Sequence, residues 1–242
     1  MQHGKTGIGT ALGPVAAVCP AFNEAESVAA VVRDALARFD VVIVIDDGSR
    51  DATASIAAAA GAVVLRHPFN LGVGAALQTG FRYALRCGAT VVVQIDADGQ
   101  HLVDQVDKLL AGLDDDVSMV IGSRFLDGTA AYASGPRGWA MRILARRASS
   151  LVGQPMSDAS SGFRAIARPL LDEFARDFPD SYLGDTFGAA VLARRHGFGV
   201  REVSVTMRPR QGGVPSTGPF RSALQVARAL ASVRTAETRP KL

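Results

Sequence analysis

The chain has little cysteine: two in 242 residues, Cys19 in an apolar run and Cys87 near the end of a predicted helix. A disulfide scaffold is excluded, and the pair reads as free thiols of a reducing, cytoplasmic compartment. Long hydrophobic runs are missing too. Residues 6–23 carry no charge, but Gly7, Gly9, Gly13, Pro14 and Pro20 break them, and only 15–19 is strongly apolar. That is strand length, well short of the roughly 20 residues of a membrane span. No Gly-Lys-Ser/Thr occurs, and Gly72-Val73-Gly74 lacks the third glycine of a dinucleotide loop, which counts against an ATPase and against NAD binding. No Ser-His-Asp or Cys-His arrangement suggests covalent catalysis, and Cys19 in a buried strand would be a poor nucleophile. Internal repeats are absent, and a nucleic-acid partner is not expected.

What is present is a chain 48% hydrophobic, 20% charged and 6% aromatic, long enough to bury roughly 70% of its unfolded surface without a structural metal. Its net charge of +3 hides an asymmetry. The stretch up to residue 120 carries 8 basic and 14 acidic residues; the remainder carries 18 basic, all but one arginine, and 9 acidic. An anionic partner would suit that polarity.

Val- and Ile-rich runs at 15–19, 41–45, 63–65, 91–95 and 119–121 read as buried strands. Helical periodicity fills 24–39, 52–60, 72–86 and 103–113 between them. Strand alternating with helix predicts an α/β fold with a parallel sheet covered on both faces. Further on, helices are expected at 139–151, 170–174 and 185–196, strands at 163–167 and 201–207, and a mobile loop at 212–219. Segment 220–233 reads as a basic amphipathic helix, able to dock on the body, on a lipid surface or on a second copy in a homodimer. This gives a flexible N-terminus over 1–13, one folded domain over 14–215 and an amphipathic helix with a tail over 216–242.

In an open parallel sheet, ligands bind beyond the carboxyl ends of the strands. The first strand ends in Cys19-Pro20-Ala21-Phe22-Asn23-Glu24, the second in Asp46-Asp47-Gly48-Ser49 and the fourth in Asp96-Ala97-Asp98-Gly99-Gln100-His101. Carboxylates raise one another's pKa when crowded, so five of them on one edge call for a cation or a donor-rich ligand. Asp96 and Asp98, two apart at a strand end, can project to one side. Oxygen ligands in that arrangement suit Mg2+ or Mn2+ completed by water and substrate phosphate. Asn70-Leu71-Gly72 opens a helix and lets backbone approach a neighbouring loop. Arg124, Arg164, Arg208 and Arg210 lie on the basic half, where guanidinium forks suit a phosphate or diphosphate. Arg142, Arg146 and Arg147 read as a solvated helix face, with anionic lipid as the other reading.

Five blocks together carry a family resemblance: Pro20-Ala21-Phe22-Asn23-Glu24, Val44-Ile45-Asp46-Asp47-Gly48-Ser49, Asn70-Leu71-Gly72, Asp96-Ala97-Asp98-Gly99-Gln100-His101 and Ser161-Gly162-Phe163-Arg164. In that order they resemble family 2 glycosyltransferases of the GT-A fold, and within them the dolichyl-phosphate mannosyltransferase and polyprenyl-phosphate glycosyltransferase branch. The resemblance implies a Rossmann-like, mostly parallel sheet flanked by helices and a nucleotide diphosphate sugar donor, GDP- or UDP-linked. It implies that Pro20, Phe22 and Glu24 line the nucleoside and that Asp46 or Asp47 bonds the base. Asn70, Gly72, Ala97 and Arg164 would join the donor site. Asp96 would contact the sugar-nucleotide or the metal shell, with Asp98 and Gln100 holding the metal on the diphosphate. Arg124 and Arg210 would face phosphates, the acceptor's included.

The chain departs from the branch in having Ser216 near where a lysine is usual, and Gly184-Asp185-Thr186-Phe187-Gly188 where many relatives place a glutamate. Asp185 is the nearby carboxylate for a general base, which an already anionic phosphate acceptor would not need. The expected activity is metal-dependent, inverting hexosyl transfer, with a polyprenyl phosphate as acceptor and a peripheral place on the inner membrane face. A soluble hydroxyl acceptor, or a nucleotide-sugar-binding module without catalysis, are the alternatives left open.

Overall fold

A computed structural model describes residues 12–128, 136–179 and 184–208. Arg210, the predicted loop at 212–219 and the predicted helix at 220–233 lie outside the described residues, as does most of the expected N-terminal segment. Among the described residues, seven strands form one sheet: β1 (Val15–Ala21), β2 (Val41–Asp46), β3 (Val63–Arg66), β4 (Val91–Gln94), β5 (Val117–Ser123), β6 (Arg164–Ala167) and β7 (Gly199–Ser204). Their order is β3-β2-β1-β4-β6-β5-β7. All pairings are parallel except those of β6, which runs against both β4 and β5. The mostly parallel sheet flanked by helices that the resemblance implies is thus borne out, with β6 as the strand that departs from the parallel direction. Hydrophobic pattern carries no direction: α5 lies between β5 and β6 in the chain, as a crossover helix would, yet β6 runs against both of its neighbours.

The helices are α1 (Val28–Leu36), α2 (Thr53–Ala59), α3 (Val73–Arg86), α4 (Val106–Ala111), α5 (Pro136–Val152), α6 (Leu170–Arg176) and α7 (Ala189–Arg195). Strand residues alternate between two cores, as a pleated sheet requires. Val18, Ile43, Ile45, Val92, Met119 and Ile166 face α3, α5, α6 and α7. Ala17, Cys19, Val42, Val44, Val93, Val120 and Ala165 face α1, α2 and α4. Each fully buried Ile, Leu or Phe contributes roughly 1.5–3 kcal/mol. Gly80 lets α3 settle on the sheet, since a Cβ there would lie 2.5 Å from Val18 Cγ1 and 2.7 Å from Ile45 Cδ1. Phe81 meets Phe178 edge-on at 5.2 Å on the same side.

Several predicted helices are shorter than their periodicity. Residues 24–27 are a turn, with the Ser27 and Val28 amides donating to the Glu24 carbonyl, so α1 starts at Val28 rather than at residue 24. The predicted 103–113 helix opens with a 3₁₀ turn, Val103–Gln105. The one predicted at 185–196 opens with a π turn, Gly184–Gly188. Among the described residues, no helix is long and apolar enough to cross a membrane.

Candidate active site

The sheet order sets β2, β1 and β4 side by side, so the three acidic strand ends predicted from sequence are neighbours in space. The β2 end is built around its two aspartates. Asp46 is fully buried; its Oδ1 accepts the Ser49 amide at 3.0 Å, and Arg66 Nε stands 3.0 Å from its Oδ2 without the alignment of a hydrogen bond. Asp47 ties down the loop that follows β3. Its Oδ1 accepts the Leu71 amide at 2.9 Å and lies 2.7 Å from His67 Nδ1, while its Oδ2 accepts the Gly72 amide at 2.8 Å. Gly48 between the loops has φ +73°, and a Cβ there would fall 2.5 Å from the Phe69 carbonyl carbon. Only glycine meets both conditions.

The β1 end is fastened to the same loop. Asn23, in the left-handed region at φ 56°, donates its amide to Ser49 Oγ at 2.9 Å and accepts the Arg50 amide on Oδ1 at 2.9 Å. The Glu24 amide donates to Thr53 Oγ1, and its carboxylate accepts from Ser27 Oγ at 3.0 Å. Pro20 is half-buried on β1, and Phe22 is 41% exposed at the rim.

At the β4 end, the Asp96 side chain is 37% exposed, whereas Asp98 is buried and accepts the Gln100 amide at 3.0 Å. Asp96 lies against Gly162: a Cβ there would come within 2.8 Å of its Oδ2 and 3.0 Å of its Oδ1. The Ser161-Gly162-Phe163-Arg164 block thus forms a floor under the acidic motif. His101 closes the other side. Its Nδ1 accepts the Asp96 amide at 2.9 Å, its Nε2 stands 3.5 Å from Asp96 Oδ2, and its ring stacks on Phe163 at 4.8 Å. Burial holds its pKa below the ordinary value, against the pull of Asp96 and Asp98, so the ring is neutral and, with Nδ1 accepting, carries its proton on Nε2. Burial, followed by the fields of Asp96, Asp98 and Glu24, raises the Cys19 thiol far above its usual range. Cys19 is inert, as the sequence suggested.

The basic side meets this edge through β5 and the loop before β6. Arg124, just past β5, grips buried Asp158 with Nε at 2.7 Å and Nη2 at 2.9 Å, and Nη2 also donates to Ser160 Oγ at 3.0 Å. Arg164 is the largest fully buried side chain among the described residues and donates to the Ser161 carbonyl at 3.4 Å. The Arg208 amide donates to the Gln100 carbonyl at 2.9 Å, and Met207 bridges His101 in antiparallel fashion. This draws the chain that precedes Arg210 onto the Asp96–His101 loop.

Of the residues singled out from sequence, Glu24, Asp46, Asp47, Asp96, Ala97, Asp98, Gln100, Asn70 and Gly72 lie on the loops of one edge, beside Arg124 and Arg164. Asp185 lies in the π turn, and its side chain is outside the described residues. Sequence reasoning missed Asp158, which pairs with Arg124, Glu202 on β7, and the tie from His67 to Asp47. None has a local signal, because each partner is remote in sequence. Among the described residues, no group of three or more His, Cys, Asp or Glu is arranged to hold a metal. Two aspartates and a glutamine amide supply oxygen donors, and Gly162 leaves the space beneath Asp96 that a Cβ would take. That set fits a hard cation which completes its shell with water and a ligand's phosphates.

The model of glycosyl transferase family 2 matches residues 16–174. Polyprenol monophosphomannose synthase of Mycolicibacterium smegmatis is 31% identical over 214 residues, covering 81% of this chain and 78% of that protein. Undecaprenyl-phosphate mannosyltransferase of Micrococcus luteus is 31% identical over 217 residues, covering 82% and 85%. Among solved structures, glucosyl-3-phosphoglycerate synthase of Mycobacterium tuberculosis, in complex with Mn2+, UDP and phosphoglyceric acid, superposes with a TM-score of 0.70 over 100% of this chain and 86% of that one at 20% identity. That likeness shows the GT-A fold. With its acidic strand ends, its mixed sheet and a family match over most of its length, the chain belongs to glycosyl transferase family 2, and these curated relatives lie in the polyprenyl-phosphate branch.

Proposed function

We propose that this glycosyltransferase moves a hexose from a GDP- or UDP-sugar to a polyprenyl phosphate, with inversion at the anomeric carbon. The observation that carries the reading is the position of Asp96 and Asp98 at the end of β4, between the β1 and β2 loops and the Arg124–Asp158 pair. Pro20, Phe22 and Glu24 line the nucleoside. Asp46 shapes the base side with Ser49, while Asp47 holds the Asn70-Leu71-Gly72 loop in place for the donor. Asp96, Asp98 and Gln100 would hold Mg2+ or Mn2+, which when bound draws negative charge off a departing diphosphate. Gly162 and His101 fix the rotamer of Asp96, so this carboxylate need not reorganise as charge develops.

Arg124 would face the phosphates, where a guanidinium group offsets the charge of a diphosphate leaving group and of an anionic acceptor, and Arg210, outside the described residues, is assigned the same role from the family resemblance alone. Such an acceptor is already a nucleophile, so no strong base is required, and Asp185 would serve as base only for a hydroxyl acceptor. The relatives named for polyprenol and undecaprenyl phosphate support the lipid acceptor. The solved neighbour with bound UDP and Mn2+ supports a nucleotide diphosphate and a divalent cation.

The test uses GDP-mannose, UDP-glucose and UDP-N-acetylglucosamine labelled in the sugar, with undecaprenyl phosphate in detergent. Label from one donor entering the organic phase is expected. Label that remains in water as a new glycoside once small hydroxy acids and sugars are supplied would replace the lipid acceptor with a soluble one.

A further inference from the structure

We infer that Glu202 on β7 is a positioning residue for the transfer, setting Arg124 against Asp96 through the loop that precedes β6. The inference rests on the reading of Arg124 as a phosphate-facing group. Glu202 pairs with Ile121 across the β5–β7 ladder, and both of its carboxylate oxygens bind the same turn. Oε1 accepts the Asp158 amide at 2.8 Å; Oε2 accepts the Ser157 amide and the Ser157 hydroxyl, each at 2.7 Å. Hydrogen bonds from three donors to one carboxylate are of the strong, charge-assisted kind.

The turn so held presents Asp158, whose side chain is fully buried and clasps Arg124 at two points. Ser157 Oγ lies 2.6 Å from Ser123 Oγ, which accepts the Phe125 amide at 3.1 Å, so the residues on both sides of Arg124 are fastened to the same turn. The chain then runs directly into the Asp96 floor. The Ser161 amide donates to the Asp158 carbonyl at 3.3 Å, and the next residue, Gly162, lies against the Asp96 carboxylate. One carboxylate on a rigid strand therefore fixes the register between the arginine and the acidic motif. A Glu202 that only held the fold together would need neither the link to Arg124 nor the link to Asp96.

Glu202→Gln keeps shape and size but turns one acceptor oxygen into an NH2 group facing an amide donor. The experiment compares wild type, Glu202→Gln, Arg124→Lys and the double variant by turnover of the labelled donor and by the Arg124 Nε–Hε resonance in ¹⁵N-arginine-labelled protein. Glu202→Gln is expected to stay folded, to lose the protection of the Arg124 Nε–Hε signal, and to lower kcat roughly 10–100-fold, the range for groups that orient a catalytic shell, with little change in donor KM. In the Arg124→Lys background it should have no further effect. An unchanged Arg124 resonance, or the same fold-loss of kcat in both backgrounds, would overturn the inference. If Arg124→Lys alone turns over like wild type, the phosphate-facing role of Arg124 fails and a reaction role for Glu202 falls with it. The resonance would then report separately whether Glu202 holds the guanidinium.

Discussion

Gly162→Ala probes the site with a single methyl group. Gly162 does not sit in the left-handed region, so alanine is compatible with its backbone; what it meets is the Asp96 carboxylate at 2.8 and 3.0 Å and Gln94 Nε2 at 3.1 Å. Ordinary contact begins near 3.4 Å, so the carboxylate must move by about 0.6 Å. Overpacking of this size costs roughly 1–3 kcal/mol, and each kcal/mol lowers Tm by about 2–4 °C in a chain of this length. A misplacement of about 1 Å in a catalytic array can cost 10²-fold in rate, so turnover should fall roughly tenfold or more while the protein stays folded at 25 °C. Gly112→Ala is the control: its Cβ would meet Val120 and Val203 methyls at 3.0–3.2 Å, within a hydrophobic core. Labelled-donor turnover and thermal unfolding of both variants give the answer. Equal stability loss with activity lost only in Gly162→Ala is expected, and a folded Gly162→Ala with wild-type turnover would refute the placement of Asp96 in the reacting site.

Two other outcomes follow from the same geometry. Asp47→Asn removes an acceptor from the Leu71 or Gly72 amide, and hydrogen bonds to a charged group contribute about 1.5–3 kcal/mol each; faster hydrogen exchange at those two amides is expected, and unchanged exchange would mean that Asp47 does not hold the loop. The Cys19 thiol has a folded pKa raised far above its ordinary value of 9.0, so its contribution to stability is complete below pH 9 and is lost as pH rises beyond that, when only the unfolded chain ionises. The slope is about 1.4 kcal/mol per pH unit; urea unfolding between pH 8 and 10 should show it in wild type and not in Cys19→Ala, and equal slopes would contradict the burial of the thiol.

The central strands were legible because β1, β2 and β4 are covered on both faces and therefore read as unbroken apolar runs. The acidic edge was legible for a related reason: charges that close such a run have no packing role, and the three strand ends do adjoin. The direction of β6 was not legible, since a four-residue buried strand reads the same either way. Helix starts were misjudged where backbone bonds at Glu24 and at Gly184–Gly188 override the apolar period. Asp158 and Glu202 were invisible for a different reason. Their partners lie 34 and 44–45 residues away along the chain, and nothing local marks an aspartate that will bind an arginine, or a strand glutamate that will cap a distant turn.

Calorimetric titration of UDP and GDP, with and without Mn2+, into wild type and Asp98→Asn tests the donor site most directly. Binding of one nucleotide that needs the ion and disappears in a folded Asp98→Asn is expected. Binding of neither nucleotide, or binding indifferent to both the ion and the substitution, would contradict a donor diphosphate held at Asp96 and Asp98.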